Sequence, residues 1–236
     1  MNKSDAENYM QELGIGTTKN GQLSKGGQLI FESIEGAPKY LADIPYHIGG
    51  SNNASNFVAR VWDAVEKRKT SEGVVNSTLG SAFECLVALV CCLEDITPFY
   101  MQAELSFVPN SKFDILLYDA QGWPISLSIK TSLRERYKQA DLEAMAMKQV
   151  HRKAESFLIT LNETEANVQS KKIEKRDLVA LDKIILATSS DFDQLVSNLS
   201  KRTLIEPAPV PIISYTETLI LGVSAVENNL SQTMEI

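Results

Sequence analysis

A chain of 236 residues is long enough for one large domain, or one domain with an appendage. Its 44% hydrophobic fraction is that of an ordinary globular protein, and without a run of about eighteen apolar residues no membrane span is expected. The net charge of -7 argues mildly against a nucleic-acid partner, but where the charges sit matters more than their sum.

Residues 1–52 read as a loop-rich flank. A short helix is predicted over 4–13 with Ser4 as its N-cap. A strand-like piece follows at 28–31, and a Gly-Gly-Ser-Asn-Asn loop at 49–53. The N-terminus lacks the apolar core of a secretion signal, which predicts a cytoplasmic protein. Helical spacing of Phe57, Val61, Ala64 and Val65 predicts a helix over 53–69, capped by Asn53 or Ser55.

A second helix is predicted over 77–93. From Ala82 to Leu93 every residue except Glu84 is apolar or cysteine, so this helix should be buried. An isolated buried charge is costly. Glu84 is therefore either a first-turn acid serving the helix dipole or a functional group. Cys85, Cys91 and Cys92 all fall in this helix without metal-ligand spacing, and their odd number suits a reducing compartment. They read as core packing. His47 and His151 have no partner pattern.

Residues 97–109 read as strand and turn, and 113–130 as a hairpin. Setting Tyr118 opposite Ser126 puts Leu117 against Leu127 and Ile115 against Ile129 on one apolar face. Leu116 then meets Ser128, and Asp114 meets Lys130, at the hairpin's open end. A basic loop and a helix from about Arg136 to Lys153 come next, then a strand over 156–161. Residues 162–177 read as a polar connection. A strand over 183–188, a helix over 191–199 and one or two strands after the Pro-rich 206–211 complete the chain. This order predicts an α/β fold, a mixed central β-sheet flanked by helices, in a single domain with its core at about 53–200.

Charge is unevenly spread. Residues 130–153 hold seven Lys or Arg against three acids, and Lys171, Lys172, Lys175 and Arg176 form a second basic cluster. Asp114 and Lys130 have the chemistry of phosphodiester hydrolysis. A carboxylate can ligate Mg²⁺, the ion can activate water, and a lysine can stabilise developing charge. One carboxylate holds Mg²⁺ poorly, and Ser128 cannot supply a second. Glu143 can, because Ala140, Ala144 and Met147 put it at the inner edge of its helix's apolar stripe. Glu84 can approach from the other helix.

Asp114 followed by Ser128-Ile129-Lys130 on a hairpin resembles the PD-(D/E)xK nuclease superfamily, although the family's adjacent Pro-Asp is absent. Residues 130–144, KTSLRERYKQADLEA, resemble the K-T-T-x-K-D-R-W-R-Q-x-x-x-E-A run of EcoRII- and PspGI-like type II restriction endonucleases. The close likeness covers that run, and the coarser pattern covers 77–161. The resemblance implies a restriction-endonuclease-like core with Lys130 as catalytic lysine, Asp114 as metal aspartate and Glu143 as the displaced acid. Glu84 would be the upstream helix acid, so the implied Mg²⁺ ligands are Asp114, Glu143 and Glu84. It further implies that Glu135 and Arg136 read a C:G pair, where Glu accepts from cytosine and Arg is bidentate to guanine. Arg134 and Lys138 would face phosphate or further bases.

The expected activity is Mg²⁺-dependent, sequence-specific cleavage of double-stranded DNA at a short G:C-containing (pseudo)palindrome, leaving a 5′-phosphate. A GG(A/T)CC-type site, like that of the SinI and AvaII group, fits the motif style. Symmetric cutting implies a homodimer, and a restriction-modification system implies a cognate DNA methyltransferase. A repair or junction-resolving nuclease and a non-catalytic DNA-binding protein on the same fold remain the alternatives.

Overall fold

A computed structural model describes residues 14–18, 20–35, 54–105, 108, 111–207, 213–215 and 219–220. The helix expected over 4–13, the loop at 49–53 and the Asn53 cap lie outside the described residues.

The chain runs α1 (Lys25–Glu35), α2 (Ala54–Glu72), α3 (Asn76–Leu93), β1 (Phe99–Leu105), β2 (Lys112–Tyr118), β3 (Pro124–Lys130), α4 (Arg136–Val150), β4 (Glu155–Thr160), α5 (Glu163–Glu174), β5 (Lys183–Leu186), α6 (Ser190–Ser200), β6 (Ile213–Tyr215) and β7 (Leu219–Ile220). One sheet has the order β5-β4-β3-β2-β1-β6, with short β7 also on β1. β3, β4 and β5 are parallel and the other pairs antiparallel, so the sheet is mixed and flanked by helices.

Both faces of the sheet are covered. Ile115, Leu117, Ile125, Leu127, Ile129, Ile159 and Ile185 pack with α1, α2, α3 and α6. On the other side, Leu158 and Ile184 pack with Leu133 of the loop before α4, with Tyr137, Ala140 and Ala144 of α4, and with Ala166 of α5. Leu116 and Tyr118 pack with Met147. The central strands β2 and β3 are therefore buried along almost their whole length. α3 has the length and hydropathy of a membrane span, but twelve of its residues are buried in this core, as in the core helix of a soluble protein. Burial pushes the Cys91 thiol up to about 12, in keeping with packing rather than reactivity.

Several expectations are corrected. Residues 28–31 are helical, within α1. Ser24 Oγ accepts from Gly27 N–H at 3.1 Å, and Leu29, Ile30, Phe31 and Ile34 form the buried face. A Cβ on Gly26 would stand 2.6 Å from Ser81 Oγ, so this glycine lets α1 lie directly on α3, and one on Gly27 would stand 2.4 Å from Gly16 O, so the second lets the preceding turn pack on α1. Ser55 does not cap α2. Its N–H and hydroxyl both donate to Asp193 of α6, at 2.8 and 2.7 Å. Residues 163–174 are a helix, with Asn162 accepting from Glu165 N–H at 3.0 Å as its N-cap.

The hairpin register differs by two residues from expectation: Ile115 pairs with Leu127, Leu116 with Ser126, Leu117 with Ile125 and Tyr118 with Pro124. The turn decides this. Asp119 Oδ1 accepts from Gln121 N–H at 3.0 Å and Trp123 N–H at 2.8 Å, and Gly122 takes a φ of 78°, which closes the chain early. Every apolar residue keeps its face, since the side-chain period is two.

Candidate active site

The paired backbone of β2 and β3 gives way beyond Ile115 and Leu127. There Asp114 Oδ2 accepts from Ile129 N–H at 2.7 Å and from Lys130 Nζ at 2.5 Å. The two residues are not directly opposite in the corrected register, and the length of the lysine bridges the difference. Asp114 is 5% exposed, whereas the Lys130 side chain is 20% exposed. The aspartate is thus anchored from beneath and the ammonium sits nearer solvent.

The helices bring one acid from each side of the sheet. Glu84, on α3, accepts from Gln102 Nε2 at 2.8 Å, and the same nitrogen stands 3.4 Å from Asp114 Oδ1. Glu143, on α4, is buried, and its Oε1 accepts from Gln139 Nε2 at 2.8 Å. Burial raises the Glu143 carboxyl above its ordinary value. The Gln139 amide and the Lys130 charge pull it down, and the Asp114 charge pushes it up. Glu143 therefore shares an electrostatic neighbourhood with both hairpin residues. Ser128 is also buried.

Among the described residues, no three His, Cys, Asp or Glu side chains are gathered closely enough to hold a metal ion. Asp114, Glu143 and Glu84 are not a preformed triad. The donors still suit Mg²⁺, which takes hard oxygen ligands and is commonly held by one or two carboxylates and several waters. Asp114 with either glutamate meets that requirement. Burial raises the Glu143 carboxyl, and a nearby cation would oppose that shift.

Arg134, Glu135, Arg136 and Lys138 are all exposed, in the loop after β3 and the first turn of α4. Glu135 and Lys138 pair at 2.5 Å, which lowers the Glu135 carboxyl and raises the Lys138 ammonium. A carboxylate from another helix holds the loop. Glu165 of α5 accepts from Leu133 N–H at 2.6 Å and Arg134 N–H at 3.3 Å, and Arg134 takes a φ of 34°. Lys172 donates to Tyr137 Oη at 2.8 Å and lies 4.3 Å from the centre of its ring.

Sequence reasoning misses Gln102, Glu165 and Gln139. Glu165 has a signal, standing three residues after the N-cap Asn162 as in a capping box, though its carboxylate reaches the loop instead. Gln102 has none beyond being a polar residue in an apolar strand. Compared with known proteins, the chain matches no family model, no curated protein and no solved structure.

Proposed function

We propose that the chain is a Mg²⁺-dependent endonuclease that cuts double-stranded DNA at a short G:C-containing (pseudo)palindrome, acting in the cytoplasm as a homodimeric type II restriction enzyme alongside a cognate methyltransferase. The observation that carries this reading is the Asp114–Lys130 pair at the open end of β2 and β3, with Glu84 and Glu143 approaching from helices on opposite faces of the sheet. The Asp-x(n)-Ser-x-Lys spacing and the likeness of residues 130–144 to the EcoRII-like run turn that geometry toward DNA.

A bound Mg²⁺ would polarise the scissile phosphate and activate the attacking water. Asp114 would hold the ion with Glu143 or Glu84. Lys130 would orient the water and stabilise charge developing on the phosphate. The buried hairpin beneath would hold Asp114 still, since Ile129 N–H fixes one of its oxygens. Ser128, small and buried on β3, would leave Glu143 to supply the acid that the motif otherwise carries on the strand. Exposed Arg134, Arg136 and Lys138 would contact phosphates or bases, with Glu135 accepting from cytosine once released from Lys138.

A non-catalytic DNA-binding role is the second reading, favoured by the serine at the motif's acidic position. A plasmid digest with Mg²⁺ separates the two. Wild-type protein should give discrete bands, and Lys130→Ala should cut about a hundredfold to a thousandfold more slowly while still binding duplex. A Lys130→Ala variant that cuts at the wild-type rate removes Lys130 from the chemistry. Binding without cutting by the wild type establishes the second reading.

A further inference from the structure

Gln102 lies in the middle of β1 with a φ of 52°, in the left-handed region that a side-chain-bearing residue seldom enters. The strand alternates on either side of it, but in opposite phase. Phe99 and Met101 join the cluster on the α3 side, whereas Tyr100, Ala103 and Leu105 join the cluster across the sheet. The facing strand breaks at the same level: Phe113 belongs to the far cluster and Ile115 to the α3 cluster. Met101 pairs with Ile115 and Ala103 with Phe113, so Gln102 and Asp114 stand opposite one another where both strands change face.

This local break gives the Gln102 amide its place. Its nitrogen carries two N–H groups and reaches two carboxylates from different elements, Glu84 Oε2 at 2.8 Å and Asp114 Oδ1 at 3.4 Å. An amide offers these oxygens only partial positive charge. A position between two carboxylate oxygens is one that a divalent cation would fill with full charge. A strained residue held at such a position stabilises an arrangement that the free carboxylates would not keep.

We propose that Gln102 is a positioning residue that stands in for the metal ion, holding Glu84 and Asp114 around one point in the metal-free protein and yielding that point when a divalent cation binds. This rests on the nuclease reading for the identity of the cation. It adds that the Glu84 side of Asp114 is the entry position, with the Gln102 side chain as the group displaced.

The test uses the full chain without DNA. Glycine adopts a φ of 52° freely, so Gln102→Gly keeps the backbone while removing the amide. Mg²⁺ and Mn²⁺ affinities are measured by calorimetry, and melting temperatures in chelator and in saturating Mg²⁺. Gln102→Gly should bind Mg²⁺ about tenfold more tightly than the wild type, as when a hydrogen bond to a charged group no longer competes. Its Mg²⁺-induced rise in melting temperature should also be larger. Gln102→Glu, with a third carboxylate, should show a larger rise still. A merely structural residue would shift both melting temperatures together. Equal increments in wild type and Gln102→Gly overturn the inference, as does a wild type that responds to neither metal. A wild type that binds Mg²⁺ but cuts no DNA ends the nuclease reading and leaves the comparison of increments decisive for Gln102.

Discussion

Glu143 occupies a position whose burial costs the fold stability once its carboxyl ionises. Burial raises its carboxyl, and the opposing pull of the Gln139 amide and the Lys130 charge does not cancel the shift. A carboxyl whose folded value lies above its unfolded value binds more protons folded than unfolded across that window. Stability therefore falls as pH rises through it. Glu143→Gln keeps the size and the oxygen that Gln139 bonds, but never ionises. It should melt above the wild type at neutral pH, and the gap should close as pH falls below the ordinary carboxylate range. Where Glu143 rather than Glu84 completes the proposed site with Asp114, the same substitution should abolish Mg²⁺-dependent cleavage, the trade expected of a site held ready for a cation. A variant that melts below the wild type at pH 7 would show that the ionised carboxylate contributes stability, against the burial argument.

At the scale of elements, what can be read from the chain follows its periodicity. α2, α3, α4, α6 and the strands β1 to β5 have apolar patterns strong enough to announce them. α5 does not, because among its residues Ala166 and Gln169 are the buried ones, and its signals lie at its ends: Asn162, Glu163 and Glu165 at the start, Lys171 and Lys172 at the finish. α1 is obscured by two glycines, which read as loop until the approach of α3 to Gly26 and of Gly16 to Gly27 explains them. Hydrophobic pattern does not tell the hairpin register from one two residues away, and the Asp119 turn chooses. Asp114, Lys130 and Glu84 are legible because charged residues stand out in apolar elements, and Glu143 because it borders the apolar stripe of an otherwise charged helix. Gln102, by contrast, acts through a backbone break that no residue type signals. Asp141 reads in the sequence only as a charge, yet it ties α4 to the segment before β5. Its carboxylate accepts from Ala180 N–H and Leu181 N–H at 2.9 Å each, and from Val179 N–H at 3.3 Å. Ala180 and Leu181 are buried, so truncation strands two donors away from water. Asp141→Ala should cost about 3 kcal/mol or more in denaturant unfolding, and Asp141→Asn, whose carbonyl can still accept, should recover part of the loss. An Asp141→Ala midpoint equal to the wild type would mean that these donors find other partners.

For the whole molecule, the question is how a chain of net charge -7 would hold a polyanion. Long-range repulsion from the acidic body weakens binding, but the salt dependence of affinity counts the cations that displace counterions from phosphate, not net charge. Arg134, Arg136 and Lys138 are exposed around the start of α4, and the Lys172–Tyr137 contact joins them to the basic end of α5, where Lys171, Lys175 and Arg176 are also exposed. Lys67, on α2, is a cation in another place: it is paired with Asp63 at 2.5 Å much as Lys138 is with Glu135, but α2 packs on the opposite face of the sheet from α4. Affinity for duplex DNA without Mg²⁺, measured across a salt series, should therefore separate the two. Combining Arg134→Ala, Arg136→Ala and Lys138→Ala should flatten the log–log slope by about two to three, close to one for each phosphate no longer neutralised. Lys67→Ala should leave it unchanged. If the triple variant keeps the wild-type slope, the DNA lies on another surface, and the reading role assigned to Glu135 and Arg136 falls with it. A flattened slope with undiminished discrimination between duplexes would assign these cations to phosphate and leave base recognition to other residues.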